Sequence, residues 1–480
     1  MRATPASTFR PLRWIVLAIV ACWLIATLWQ ALKPLPEGLD TASPLRPVES
    51  LNLLTDQTYT KAGQEVSEQH VFDEVLRLIR QAQQLVVVDM FLFNNFAGQD
   101  SYRDLSGELT EALLTAREQQ PQMPILVITD PFNTLYGGVR ADHLERLQQA
   151  NVSVVMTDLS RLPASNPLWT GLWSLCCSYL GNNSSGGWLP NPVGDDKVTL
   201  RSYLHLLNFR ANHRKTLVVD EGDTWTGLVT SANPHDASSR HSNNAVTFSG
   251  AAALDLLATE AAVLRFSAEI DTADWPTAPA AASTNQEQIQ ILTEGAIRDA
   301  LLELINSSEA GDQLDLEVFY FAHRPLAKAL IRAQERGVGI RVLLDANRDA
   351  FGREKNGIPN RQVAGDLHRA GIEVRWCATQ GEQCHRKWLR LDRADGRSEL
   401  ISGSANFTRR NLDNLNLETS ARILAPGQQA VMQAAREQFE RSWNNPSDEQ
   451  HSLPYEDFAD DSRWRYALYR FMEFTGLSTF

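Results

Sequence analysis

The sequence predicts an α/β protein made of two similar halves, preceded by one membrane-spanning helix. Three observations carry this expectation. Helical patterns alternate with short apolar, β-branched runs, and the whole order of elements occurs twice. A charge-free run of 19 residues, Trp14 to Leu32, lies near the N-terminus. Periods of 3.6 alternating with short strands indicate a layered fold with mainly parallel strands.

At ~1.5 Å rise per residue the N-terminal run can cross a bilayer. Arg2, Arg10 and Arg13 precede it, whereas Lys33, Glu37 and Asp40 follow it. The positive-inside rule then puts the N-terminus in the cytoplasm and the rest on the exoplasmic side, periplasmic in a bacterium. A cleaved signal peptide is the competing reading; the length of the run and the lack of a small-x-small site before Lys33 favour a retained anchor. The remaining composition is globular: 480 residues, 43% hydrophobic and 21% charged, too long for one ordinary core. With 45 Lys and Arg against 58 Asp and Glu the net charge is −13, which argues against a protein held to nucleic acid by bulk charge. Five cysteines do not make a disulfide scaffold, and none stands in zinc-site spacing. Cys377 and Cys384 bracket a short polar loop and could pair in an oxidising compartment. Cys176 and Cys177 read as buried free thiols in an apolar run.

In the first half, helical patterns from Val71, Glu108 and Ala141 feed strands at Leu85–Phe91, Ile125–Asp130 and Val152–Met156. In the second, patterns from Ala296, Leu326 and Val363 feed strands at Leu314–Tyr320, Ile340–Asp345 and Glu373–Trp376. Residues 271–288, rich in Pro, Ala, Ser and Thr, read as a linker. The expected division is therefore 1–33 tip and anchor, 50–270 first domain, 271–288 linker, 289–445 second domain and 446–480 an amphipathic tail.

Each half continues into a His-x-Lys-x4-Asp string, His213, Lys215 and Asp220 in the first and His385, Lys387 and Asp392 in the second. Both strings run through a charged turn into an apolar strand ending in Ser-x-Asn, Ser231 and Asn233 or Ser404 and Asn406. Residues i and i+2 share a face of a strand, so each His projects beside its Lys and each Ser beside its Asn. Two such sets facing each other make an anion site. Such a site suits a phosphodiester: two Lys and neutral donors offset its charge, one imidazole attacks phosphorus and the other protonates the departing alkoxide. Histidine fits both roles because its pKa lies near neutrality, and the scheme calls on no metal or cofactor.

This pattern resembles the phospholipase D superfamily, whose members carry two copies of the motif, and within it the cardiolipin synthase-like branch. The run Phe209 to Lys215 looks like that branch's first motif, and the resemblance covers about residues 65–445. It implies two α/β/α sandwich domains related by pseudo-two-fold symmetry, with one chain sufficient for a complete site. It further implies phosphodiester cleavage or phosphatidyl transfer on a phospholipid. Carried over, His213 is the nucleophile and His385 the general acid and base. Lys215, Lys387, Asn233 and Asn406 bind phosphate with Ser231 and Ser404 in support, and Asp220 and Asp392 hold the motif loops. The family often has an acid downstream of Ser-x-Asn that orients a catalytic His. The second half supplies Glu418, 14 residues after Ser404, but the same step from Ser231 lands on Ala245, with only Asn243 and Asn244 nearby. One imidazole is therefore expected to lack a carboxylate partner.

Other stretches admit two readings. The apolar run Trp169 to Leu180, with Trp188, is either a core helix or a lipid-facing one. The tail from Arg463 to Leu477 either packs on the second domain or rests on the membrane. His235, His241 and His323 read as solvated turn residues, and the loop 345–361 as a contributor to head-group recognition. A nuclease with the same chemistry is the alternative function, with Arg348, Arg353, Arg409 and Arg410 as one edge of a basic groove. The net charge favours lipid instead. A merely binding protein is the weakest reading, since neither motif His is missing.

Overall fold

The computed structural model describes residues 9–96, 102–279, 287–350 and 353–478. Arg2, residues 280–286 of the expected linker and residues 351–352 of the loop 345–361 lie outside them. Strands Leu51–Thr55, Asn244–Ser249, Thr224–Thr230, Lys215–Glu221, Val86–Met90, Ile125–Thr129 and Ser153–Met156 form, in that order, a seven-stranded sheet. A nine-stranded sheet runs Arg46–Pro47, Gln288–Thr293, Thr419–Pro426, Arg397–Gly403, Lys387–Asp392, Gln313–Val318, Gly339–Leu344, Glu373–Cys377 and Ser452–Pro454.

The expectation of mainly parallel strands is corrected. Each large sheet has one parallel trio, Val86–Met90 with its two successors and Gln313–Val318 with its two successors. The motif strands join these trios antiparallel. The strand after the motif is antiparallel too, because the turn between Glu221 and Thr224 can close only a hairpin, whereas a parallel return needs a crossover of a dozen residues. The central strands are buried on both faces, Val86, Val87 and Val88 completely, which explains their unbroken apolar runs.

Helices cover both faces of each sheet. Helix Val71–Gln81 buries Val71, Val75 and Leu78 on one stripe, and Asp104 caps helix Leu105–Gln119 by accepting from the Gly107 amide at 2.8 Å. These helices form an outer core on the seven-stranded sheet. Helices Gly295–Asn306, Arg324–Glu335 and Asn360–Arg369 form its counterpart on the other sheet. Between the sheets lies a third core. It joins Val87, Val218 and Val246 of one sheet, Ile289, Trp388 and Ile423 of the other, and helices Ala251–Ser267 and Ala430–Asn444. The two halves thus share apolar interior.

The N-terminal helix Phe9–Leu32 includes, at Leu12–Leu32, the one helix among the described residues long and apolar enough to cross a membrane. Most of it is exposed, but Trp23, Ala26, Thr27 and Gln30, spaced one helical turn apart, are partly covered. They meet helix Pro167–Cys176: Trp23 Nε1 donates to the Leu168 carbonyl at 2.9 Å, and the Ala164 amide donates to Gln30 O at 2.8 Å. Gly171 permits the crossing, because a Cβ there would stand 2.6 Å from Thr27 Oγ1 and 2.8 Å from its Cα. Cys176 and Cys177, expected as buried free thiols, are bonded to each other at the end of this helix, with Cys176 exposed. The other pairing, Cys377 with Cys384, is present. The tail helix Arg463–Thr475 buries Tyr469 yet exposes Trp464, Phe471 and Phe474, so it packs and presents apolar surface at once.

Candidate active site

Each motif His stands just before its strand and is clamped by backbone from the other half. The His213 amide donates to Leu417 O at 2.9 Å and the His385 amide to Ser242 O at 2.8 Å. The i, i+2 spacing brings each Lys back to its own His: Lys215 Nζ donates to His213 O at 2.8 Å and Lys387 Nζ to His385 O at 2.7 Å. Phe91 packs on His213 and beneath Lys215, and Phe319 does the same for His385 and Lys387. All four basic side chains are buried.

The ring nitrogens are oriented across the boundary between halves. His213 Nδ1 donates to Glu418, 2.9 Å from Oε1 and 3.0 Å from Oε2. His385 Nδ1 donates to Asn243 Oδ1 at 3.0 Å. Asn243 Nδ2 donates to the carbonyls of Ser238 and His241, which turns Oδ1 toward the ring. The missing partner expected at Ala245 is thus replaced by Asn243, an amide where the other half has a carboxylate, while Ala245 is core. Ser231 and Ser404 hold these two orienting groups: Ser231 Oγ donates to Asn243 Oδ1 at 3.1 Å, and Ser404 Oγ donates to Glu418. Their hydroxyls therefore serve the groups behind the histidines instead of facing a phosphate. Asn233 and Asn406 accept from the amides of Leu92 and Tyr320, and their Nδ2 groups have no protein partner among the described residues.

Asp220 and Asp392, named with the catalytic set from the motif, stand at the far ends of their strands, about 17 Å along from the lysines at 3.4 Å per residue. Asp220 accepts from the amides of Gln83, Gln84 and Leu85, and Asp392 pairs with Arg390, Arg436 and Ser398. They brace the fold.

Burial sets the charge state of the site. It lowers the His213 pKa to about 4 against the pull of Glu418, and Lys215 to about 7. His385 and Lys387 are pushed well down, first by burial and then by neighbouring cations. Lys215 and His213 both act on His385, so the two motif sets lie within electrostatic reach of each other. An anion placed there would reverse these shifts.

A family match lies in the second half of the chain. Residues 301–443 fit the family described as cardiolipin synthase, PLD-like domain. Over 136 residues the chain is 30% identical to the mitochondrial cardiolipin hydrolase of Danio rerio, covering 28% of this chain and 54% of that protein. It is 32% identical to the Homo sapiens protein of that name over 136 residues, 28% of this chain and 47% of that one. The second half of this chain therefore carries a phospholipase D-like domain. The chain spans about half the length of those relatives. Phosphatidylserine synthase of Haemophilus influenzae shares the fold across both halves, with a TM-score of 0.57 at 13% identity, over 90% of this chain and 94% of that one.

Several residues beside the superfamily motif escaped the sequence reading. Asp89 and Glu317 occupy matching strands, and Asp130 and Asp345 the ends of the next ones. Asp89 and Asp130 hold Asn212, next to His213. Asp345 accepts from the Cys384 amide, and Glu317 pairs with Arg386 at 2.8 Å, on either side of His385. A carboxylate inside an apolar strand was the available signal. Arg214 pairs with Glu294 at 2.8 Å, again across the halves. His235, His241 and His323, expected in solvent, are all buried; His241 packs 6.0 Å from the His385 ring and adds to its pKa depression. Arg409 and Arg410, expected along a groove, donate to the tail carbonyls of Phe474 and Ser478. Among the described residues one group brings three metal-ligating side chains together, Glu317, Cys377 and Cys384, but its two sulfurs are bonded to each other.

Proposed function

We propose that this chain is a membrane-anchored phosphodiesterase or phosphatidyltransferase that acts on phospholipids through a phosphohistidine. The observation that carries the reading is the pair of buried imidazoles, each held through Nδ1 by the opposite half and each left with Nε2 for chemistry. Neutral His213 attacks phosphorus through Nε2, the P–N bond forms as the P–O bond to the leaving alcohol breaks, and His385, protonated on Nε2 once the phosphodiester anion is bound, gives that oxygen its proton. His385 then takes a proton from water or a second alcohol, whose oxygen displaces His213. Lys215, Lys387 and the free amide groups of Asn233 and Asn406 offset the charge on the phosphoryl oxygens.

The assignment of roles follows from charge. A ring attacking phosphorus becomes cationic, so the carboxylate of Glu418 stabilises the intermediate on His213. The neutral Asn243 leaves His385 the stronger proton donor. Leu12–Leu32 supplies the anchor, with the N-terminus cytoplasmic and both halves exoplasmic.

The test is incubation of the full chain and of His213→Ala with labelled phosphatidylglycerol, with and without added glycerol, and separately with single-stranded DNA. Lipid turnover that falls by about 10³-fold or more in the variant is expected. Turnover of DNA alone would establish the nuclease reading instead, and lipid turnover unchanged in His213→Ala would refute the nucleophile.

A further inference from the structure

We infer that helix Pro167–Cys176 lies inside the bilayer surface beside the anchor and seats the catalytic halves on the lipid. The inference rests on reading Phe9–Leu32 as a membrane anchor and concerns how the site meets its substrate. Leu12–Leu32 is 21 residues long. At ~1.5 Å per residue that is about 32 Å, close to the ~30 Å that the hydrocarbon core demands. None of its length is spare for a stalk. Yet the helix touches Pro167–Cys176 from Trp23 onward and crosses it at Thr27 against Gly171. Thr27 is five residues from the end of the helix, about 7 Å along its axis. Whatever packs there sits at the depth of the acyl boundary, where interfacial helices lie.

The surface of helix Pro167–Cys176 agrees. Gly171, Thr170 and Trp173 turn inward, whereas Leu168, Leu172 and Leu175 are 56%, 44% and 48% exposed on one continuous stripe flanking the crossing. No Asp, Glu, Lys, Arg or His occurs between Arg161 and Asp195. The tail helix extends the patch: Gly476 lies against the Ser165 carbonyl, next to the helix cap Asn166, and carries with it exposed Phe474 and Leu477. A bilayer is the occupant because the stripe is continuous with the exposed apolar surface of the anchor itself.

The seat is rigidly joined to the chemistry. Trp169 Nε1 donates to Leu204 O at 2.9 Å and Trp173 stacks on His205, both in helix Leu200–Leu206, seven residues before His213 at the nearest. The substrate of this site is accordingly a lipid still in its leaflet.

A fluorescent NBD label at Leu172→Cys tests this in the full chain, with Cys22, Cys176 and Cys177 replaced by Ser and the Cys377–Cys384 pair kept. The protein is reconstituted in phosphatidylethanolamine–phosphatidylglycerol vesicles, and a label at Asp223→Cys, in an exposed turn, gives the aqueous reference. The Leu172 label should be quenched by nitroxide on the lipid chains and shielded from iodide, and the Asp223 label the reverse. Equal iodide quenching at both positions overturns the inference. So does shielding that appears only as the protein-to-lipid ratio rises, which would make a second copy the occupant. In addition, Leu172→Glu with Leu175→Glu should lower turnover of vesicle lipid about tenfold while leaving a soluble short-chain phosphodiester unaffected; equal loss on both refutes it. If the unaltered chain turns over neither substrate, the proposed function fails and the label depth still decides the membrane seat.

Discussion

The two imidazoles have nearly the same surroundings, an aromatic ring, a lysine and a clamped amide, and differ in the acceptor at Nδ1. Glu418 offers His213 a charge, and Asn243 offers His385 a dipole. On the proposed mechanism, replacing Glu418 with Gln keeps a hydrogen bond but removes the charge opposite the phosphorylated ring, and should lower kcat by about 10²–10⁴. Adding a carboxylate in Asn243→Asp favours the imidazolium of His385, so the alkaline limb of kcat/KM should move up by about one pH unit or more. A pH profile of each variant checks both; an unmoved limb in Asn243→Asp removes His385 from the acid role. At this scale the sequence was most informative about His and Lys, because the i, i+2 spacing is local. It said least about what lies behind them. That Ser404 serves Glu418 and that Glu418 serves the other half's His are tertiary facts, with no local pattern to reveal them. Counting from Ser231 to Ala245 assumed matched spacing, whereas the orienting group is two residues earlier.

Among the elements, two depend on close constraints. The disulfide Cys377–Cys384 ties the end of strand Glu373–Cys377 to the residue before His385. Replacing both cysteines with Ala should cost about 2–3 kcal/mol from loop-closure entropy, read as a lower urea midpoint without reductant. The second is the crossing at Gly171. Cysteines at Trp23→Cys and Leu168→Cys, on either side of the contact made by the indole, should be joined by a bifunctional thiol crosslinker of about the indole's length, and adding Gly171→Val should abolish the crosslink. Persistence of the crosslink would show the helices can part without losing register. The alternation of helices and strands was legible because burial imposes periodicity. The antiparallel entry of the motif strands was not, since apolar runs carry no direction. Helix Pro167–Cys176 was ambiguous for a physical reason: its faces are all apolar, so no moment separates the side on the protein from the side facing out.

At the scale of the whole molecule, the central core and the site both straddle the two halves. A protease site inserted after Ala273, in the exposed part of the linker, should give fragments that co-elute on gel filtration and keep activity after cleavage. Separation into two species would show that the shared interior contributes little. The composition could not reveal this core, because apolar strands facing a partner sheet look like those facing a helix.

The crossed pinning of the histidines has a further consequence. If two identical subunits formed this site, every substitution would strike both imidazoles alike, and a carboxylate lost from one would be lost from the other. Joined in one chain, the two positions are separate codons. Glu418 and Asn243 differ in this way: on the proposed mechanism one half holds a phosphoryl group while its counterpart handles a proton.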